Sequence, residues 1–319
     1  MRRLRRTATL TAAGVLGVAV LAPIAAAPAV AETCRGEAAT IVGTPESHVV
    51  GTSGDDVIVS GGAWSVDAGA GDDLVCIPPM EGDLLGNVVE VDAGAGDDVV
   101  VSEGEHNHSR TDLGPGRDEF HGGGWEDQVE ASLDDTIVAD SGDDLVSYSI
   151  ARDEHLPLVV GTMTGQRDAG WIKVTAPGRR LTIDGRAGTI RVSGRVVTTF
   201  PVSPRMLFGV AQTVELIGTP GVDRLATAAC GRSILHGNGG DDEIVALGSG
   251  ATPKRDCRRR HMSAVGGGGD DVIVGTRRDD DLRGGPGNDL IKGHDGQDVA
   301  NGGPGRDTCA AEREILCER

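Results

Sequence analysis

Fourteen aspartates occupy one place in a recurring nine-residue unit, and they are the residues of this 319-residue chain whose type and spacing could do chemistry. The clearest run reads GGGGDDVIV (Gly266 to Val274), GTRRDDDLR (Gly275 to Arg283), GGPGNDLIK (Gly284 to Lys292), GHDGQDVAN (Gly293 to Asn301) and GGPGRDTCA (Gly302 to Ala310). Its sixth place is always Asp: Asp271, Asp280, Asp289, Asp298 and Asp307. The first place is always Gly, and the eighth holds Ile273, Leu282, Ile291, Ala300 and Cys309. One carboxylate per glycine-rich turn is a donor set for a hard cation. Calcium takes roughly six to eight oxygens in irregular geometry. Glycine reaches φ > 0 without steric cost, so such a turn can aim carbonyls at one point while the carboxylate supplies charge.

The same frame recovers distant copies. GTSGDDVIV carries Asp56, AGAGDDLVC carries Asp73 and AGAGDDVVV carries Asp98. A looser run places Asp118, Asp127, Asp135 and Asp144; GTPGVDRLA and GNGGDDEIV follow with Asp223 and Asp242. Asp56 to Asp73 is 17 residues, Asp98 to Asp118 is 20 and Asp223 to Asp242 is 19, each close to two units. A fixed period of this kind marks a stacked solenoid. Asp242 to Asp271 is 29 residues, which predicts an inserted loop over 248–264. Disordered low-complexity chain is the competing reading, and the regular apolar eighth place argues against it. For the N-terminal copies, a β-solenoid without metal also competes.

These units resemble the repeats-in-toxin (RTX), or haemolysin-type, calcium-binding repeat GGxGxDxUx, with U a large apolar residue. Segments 51–147 and 218–310 together span 190 of the 288 residues after Ala31. The resemblance implies an all-β fold, a right-handed parallel β-roll or β-helix solenoid. Six places form a turn and three a short strand, with the eighth side chain inward. It also implies several Ca2+ ions between stacked turns, held by the sixth-place Asp and backbone carbonyls. Carried onto this chain, turns two repeats apart share an ion. That pairs Asp271 with Asp289, Asp280 with Asp298, Asp289 with Asp307, Asp56 with Asp73, Asp118 with Asp135 and Asp127 with Asp144. The fifth-place acids Asp55, Asp72, Asp97, Asp143, Asp241 and Asp270 are expected to raise the negative potential without ligating. Arg278, Trp125 and Leu133 replace the fourth-place glycine, and Ala300 is small for a core place, so those turns are expected to bind calcium poorly.

The elements around these turns fix the remaining expectations. Arg2, Arg3, Arg5 and Arg6 precede an apolar run from about Leu10 to Val30 that ends in Ala29-Val30-Ala31, the pattern of a secretory signal peptide cut before Glu32. Secretion to an extracellular location follows, with no membrane span after cleavage. The full chain has a formal charge of −19 at pH 7, which disfavours nucleic acid and anionic membranes and favours cations. Fifty glycines and only seven aromatic residues suit a thin solenoid. Stacked aspartates repel one another and glycine turns are costly to order, so the repeats should be loose without calcium. Binding energy then becomes folding energy, with affinity in the extracellular range of roughly 0.1–1 mM.

The expected divisions are a signal peptide over 1–31, a degenerate repeat solenoid over 32–147, a repeat-free β-rich segment over 148–217 and a C-terminal β-roll over 218–319. Strands are predicted at Leu181–Asp184 and Thr189–Ser193. Six cysteines in an exported chain read as disulfides. Neighbouring pairs are the simplest of 15 arrangements: Cys34–Cys76, Cys230–Cys257 and Cys309–Cys317. Glu105-His106-Asn107-His108 lacks a near third ligand for zinc. The basic run Lys254 to His261 reads as a solvated patch, and Trp64, Trp125 and Trp171 read as core or strand-face residues. No HExxH or GxSxG is present, so the expectation is a non-enzymatic calcium-binding protein. A polysaccharide lyase or epimerase on a β-helix, and a calcium-rigidified surface adhesin with a cell-surface or glycan partner, are the alternatives.

Overall fold

The computed structural model describes residues 32–79, 88–104, 108–151, 155–156, 161–165, 170–200, 204–247 and 261–318. Every helix or strand there is a β-strand, most of them three to five residues long. The lengths follow from the sequence: each run of two or three apolar or β-branched residues is bounded by a glycine–aspartate turn that no strand can continue through. Most strands pair in parallel with the strand two places along the chain, so two strands and two turns make one coil. Val57–Val59 pairs with Leu74–Ile77, which pairs with Val99–Ser102, which pairs with Glu119–His121. At the other end, Val272–Val274 pairs with Leu290–Lys292 and that with Thr308–Ala310. The chain is therefore a parallel β-roll.

The register stacks eighth-place side chains on the inside. Ile58, Val75, Val100, Phe120, Ile137 and Met163 lie in one column. A second column runs from Val49 through Val91, Val146, Leu207 and Ile244 to Ile291 and Cys309. Alternate side chains of a strand point to opposite faces, so a three-residue strand sends one side chain inward. A core filled this way is narrow and takes few rings: Phe120, Tyr148 and Phe200 are buried in it, and Ala300 fills its place with no exposure.

Parallel pairing continues between Tyr148 and Leu216. Leu145–Ser149 pairs with Trp171–Asp184, which pairs with Met206–Ile217. Met206–Ile217 then pairs with both Arg224–Thr227 and Arg232–Gly239. Thr189–Val192 pairs antiparallel with Leu181–Asp184 there and also forms an antiparallel hairpin with Arg195–Thr199 that turns through Ser193 and Gly194, both at positive φ. Its Ile190, Val192 and Val197 extend the same core.

The insert expected over 248–264 is shorter at its C-terminal side. Strand His261–Gly268 begins inside it, because Met262 and Ala264 alternate with polar residues and are buried. Residues 248–260 lie outside the described residues, as does most of the basic run. Cys34–Cys76 and Cys309–Cys317 are disulfides; Cys257, expected to pair with Cys230, is also outside the described residues. The first bridge fixes the hairpin Thr33–Cys34/Glu37–Ala38 over a small outer cluster of Val59, Cys76 and Val101. Trp64 and Trp171 are not core residues but sit more than 40% exposed. Trp64 lies edge-on to His48 and Trp125 to His108.

Leu282 is fully buried in its column, whereas Leu290 on the neighbouring strand is 49% exposed. Leu282→Ala is expected to lower unfolding free energy by about 2–5 kcal/mol, and Leu290→Ala by less than about 0.5 kcal/mol. Chemical denaturation in calcium measures both.

Candidate metal centre

Each sixth-place aspartate closes its turn at the entry to a strand, and the coil repeat stacks these residues into columns. In the first column, Asp73 Oδ1 accepts the N–H of Asp56, Asp98 that of Asp73, Asp118 that of Asp98 and Asp135 that of Asp118, at 2.8–3.0 Å. In the second, Asp127 accepts from Ser109 and Asp144 from Asp127. The third runs Asp223, Asp242, Asp271, Asp289, Asp307, each N–H donating to the next carboxylate at 2.9 Å. The fourth joins Met262, Asp280 and Asp298 in the same way. All six pairs expected to share an ion are adjacent rungs, and Asp98, Asp223 and Asp242 join the same columns. All fourteen carboxylates are at most 7% exposed.

One oxygen of each rung is thus used within the fold. The other, Oδ2, is buried with no hydrogen-bond partner in Asp73, Asp98, Asp118, Asp242, Asp271, Asp289, Asp298 and Asp307. A buried, unpaired carboxylate oxygen is costly, and native folds rarely keep one without a ligand or ion to satisfy it. The turn makes room for these oxygens. A Cβ at first-place Gly284 would overlap Asp289 Oδ2, and Gly266 stands in the same relation to Asp271 and Gly293 to Asp298. Among the described residues no three His, Cys, Asp or Glu side chains converge. A cation here would take its remaining oxygens from backbone carbonyls of the turns, which suits calcium better than zinc.

Electrostatics agree with that donor set. Burial raises the carboxyls of Asp118, Asp135, Asp144 and Asp242 to about 7, and those of Asp98 and Asp289 to about 6. Backbone N–H donation offsets part of this, and neighbouring acids add to it in each. Asp56 goes the other way, held low chiefly by the Thr52 hydroxyl and amide.

The fifth-place acids form an outer, exposed ladder. Asp55 accepts the N–H of Asp72, Asp72 that of Asp97, and Asp241 that of Asp270. They cap backbone groups of the next coil and stand outside the buried columns.

Sequence reading missed the ends of the columns. Glu318 accepts the N–H of Asp307 and Glu312 that of Asp298, each standing in for the next rung's aspartate. Neither lies in the repeat frame, so no periodic signal marks them. Of the zinc reading, Glu105, His106 and Asn107 lie outside the described residues; His108 Nδ1 is 3.2 Å from the Glu126 carbonyl.

Comparison with known families matches the RTX calcium-binding nonapeptide repeat in four copies, over residues 132–148, 265–299 and 274–309. Comparison with curated proteins gave no match. The matched residues contain Asp135, Asp144 and the run Asp271 to Asp307, and the columns place the unmatched turns at Asp56, Asp73, Asp98, Asp223 and Asp242 in the same arrangement. The chain carries RTX-type calcium-binding nonapeptide repeats, wound into a parallel β-roll.

Proposed function

We propose that this protein is exported and that calcium completes its fold outside the cell, its role being binding rather than catalysis. The observation that carries this is the set of buried aspartate Oδ2 atoms without partners. Asp73, Asp98, Asp118, Asp242, Asp271, Asp289, Asp298 and Asp307 would hold the ions together with turn carbonyls. When bound, calcium supplies positive charge and oxygen coordination where the fold leaves negative charge unmatched. The residues themselves do the rest: first-place glycines leave space, Oδ1 atoms fix each carboxylate to the coil before it, and apolar columns set the coil spacing. Without the ions, several like charges stack in a low-dielectric column, and the N–H donated to each rung offsets only part of that cost. Export is supported by the arginine head, apolar run and Ala-Val-Ala end of residues 1–31, and by cysteines paired as disulfides.

Far-ultraviolet circular dichroism of the oxidised protein during a calcium titration tests the reading, with magnesium as the control. A cooperative gain of β signal near about 0.1–1 mM calcium, absent with magnesium, is the expected result. A complete β spectrum in chelator that does not change with calcium would refute it.

The raised carboxyls give a pH signature. With folded pKa values of about 6 to 7 above the ordinary 3.8, the metal-free fold binds more protons than the unfolded chain. Its stability is therefore greatest on the acid side of that window and falls as pH rises through it. Calcium must displace those protons, so its effect runs opposite. Thermal midpoints in chelator should be higher at about pH 5 than at about pH 8, and in saturating calcium the order should reverse.

A further inference from the structure

The sixth-place aspartates differ in the use of Oδ2, and a threonine at the second place of the turn marks one group. In turns that open Gly-Thr, the threonine donates twice to that oxygen. Thr52 N–H and O–H reach Asp56 at 2.8 Å each, and Thr219 and Thr276 reach Asp223 and Asp280 at 2.6 Å and 3.0 Å. The same hydroxyl accepts the N–H of the fourth residue: Gly54 at 3.2 Å, Gly221 and Arg278 at 3.1 Å. Such a turn is closed by its own atoms. Its fourth place is not at positive φ, which explains how Arg278 stands where the repeat has glycine.

The Gly-Gly turns at Gly266, Gly284 and Gly302 are open instead, unlike the Gly122-Gly123 turn, where Gly123 N–H donates to Asp127 Oδ2 at 2.9 Å. The second-place N–H leaves the turn, from Gly267 to the Gly284 carbonyl and from Gly285 to that of Gly302. Both glycines sit at positive φ, +125° and +132°. Fourth-place Gly269 and Gly287 likewise donate to Pro286 and Pro304 of the next coil. Nothing is left to satisfy Oδ2 of Asp271, Asp289 or Asp307.

The Gly-Thr turns have a common position. Each holds the first aspartate of its column. Before Asp56 the place is taken by Thr40, before Asp280 by Met262, and before Asp223 by Arg205, whose carbonyl accepts the Arg224 N–H. A first rung has no aspartate turn before it with which to share an ion. We propose that Thr52, Thr219 and Thr276 make their turns cation-free starting rungs, ordered before calcium arrives, on which the Gly-Gly turns then load. This deepens the calcium reading above and rests on it.

Amide hydrogen exchange of the full oxidised chain, in chelator and in calcium, tests the proposal. In chelator, residues 51–56, 218–223 and 275–280 should exchange at least about tenfold more slowly than 266–271, 284–289 and 302–307. Calcium should slow the second group and leave the first unchanged. Thr276→Val should abolish the slow exchange of 275–280 in chelator, Thr276→Ser should retain it, and equilibrium dialysis should find the same number of calcium ions bound to both as to the unsubstituted chain. Gly-Thr turns that exchange as fast as Gly-Gly turns in chelator and gain the same protection from calcium would overturn the proposal while the calcium reading stands. A bound ion lost in Thr276→Val would also overturn it. No calcium response in any turn would overturn the calcium reading and this proposal with it.

Discussion

The buried carboxylate column is the constraint on which the rest of this structure depends. Parallel strands sit about 4.8 Å apart, so any residue repeated once per coil is stacked on its own copies. For an apolar residue that stacking is favourable. For an aspartate it sets like charges one strand spacing apart, a repulsion of about 3–4 kcal/mol per ionised pair at an effective dielectric of 20. The fold answers part of this with geometry, since each Oδ1 takes the N–H of the aspartate in the coil before it. The rest falls on Oδ2, which is either satisfied from within the turn or left for an ion. A threonine at the second place gives the first answer at Asp56, Asp223 and Asp280, and the turns at Asp271, Asp289 and Asp307, with glycine there, give the second.

The same repeat sets the proportions of the molecule. A strand of three residues between two glycine turns presents one inward side chain, so a large apolar core is out of reach however long the chain grows. Conventional domains gain stability from aromatic and branched side chains packed from many directions. Here the columns from Ile58 to Met163 and from Val49 to Ile291 are about one residue wide, and each coil touches mainly its neighbours. Energy that a broad core would supply has to come from elsewhere, and the buried carboxylates are placed where cation binding would supply it.

Much of this was legible in the sequence because period and chemistry coincide. Asp271, Asp280, Asp289 and Asp298 fall nine residues apart, so spacing alone assigns them to alternate columns, and the rungs follow. Where the spacing drifts, as from Asp98 to Asp118, the rung and the strand register survive. What sequence could not supply was the use of each carboxylate oxygen. GTSGDDVIV and AGAGDDLVC look equivalent in a repeat frame, yet Asp56 Oδ2 is filled by Thr52 and Asp73 Oδ2 is empty of donors. The distinction depends on whether one N–H points into the turn or along the roll, a backbone orientation that no periodic pattern records. The start of strand His261–Gly268 was hidden for a related reason: it precedes the repeat unit that opens at Gly266, and only the alternation of buried Met262 and Ala264 with less buried neighbours marks it.

The ends of the roll follow from the same bookkeeping of donors and acceptors. A parallel stack leaves an open edge at each end, and an open edge is both an unsatisfied ladder and a template for association. At the N-terminal end, Thr40 supplies the hydroxyl that stands in for a preceding rung, and the disulfide at Cys76 holds a hairpin over the outer face. At the C-terminal end no further aspartate follows Asp298 or Asp307, and Glu312 and Glu318 reach back with their longer side chains to accept the two N–H groups. A glutamate suits that task because Glu312 and Glu318 lie outside the strands and outside the nine-residue frame, so a longer side chain makes up the reach. The Cys309–Cys317 bridge closes an eight-residue span with Glu312 inside it and Glu318 next to it, so a covalent bond holds the substitute rungs against the last of the described aspartates.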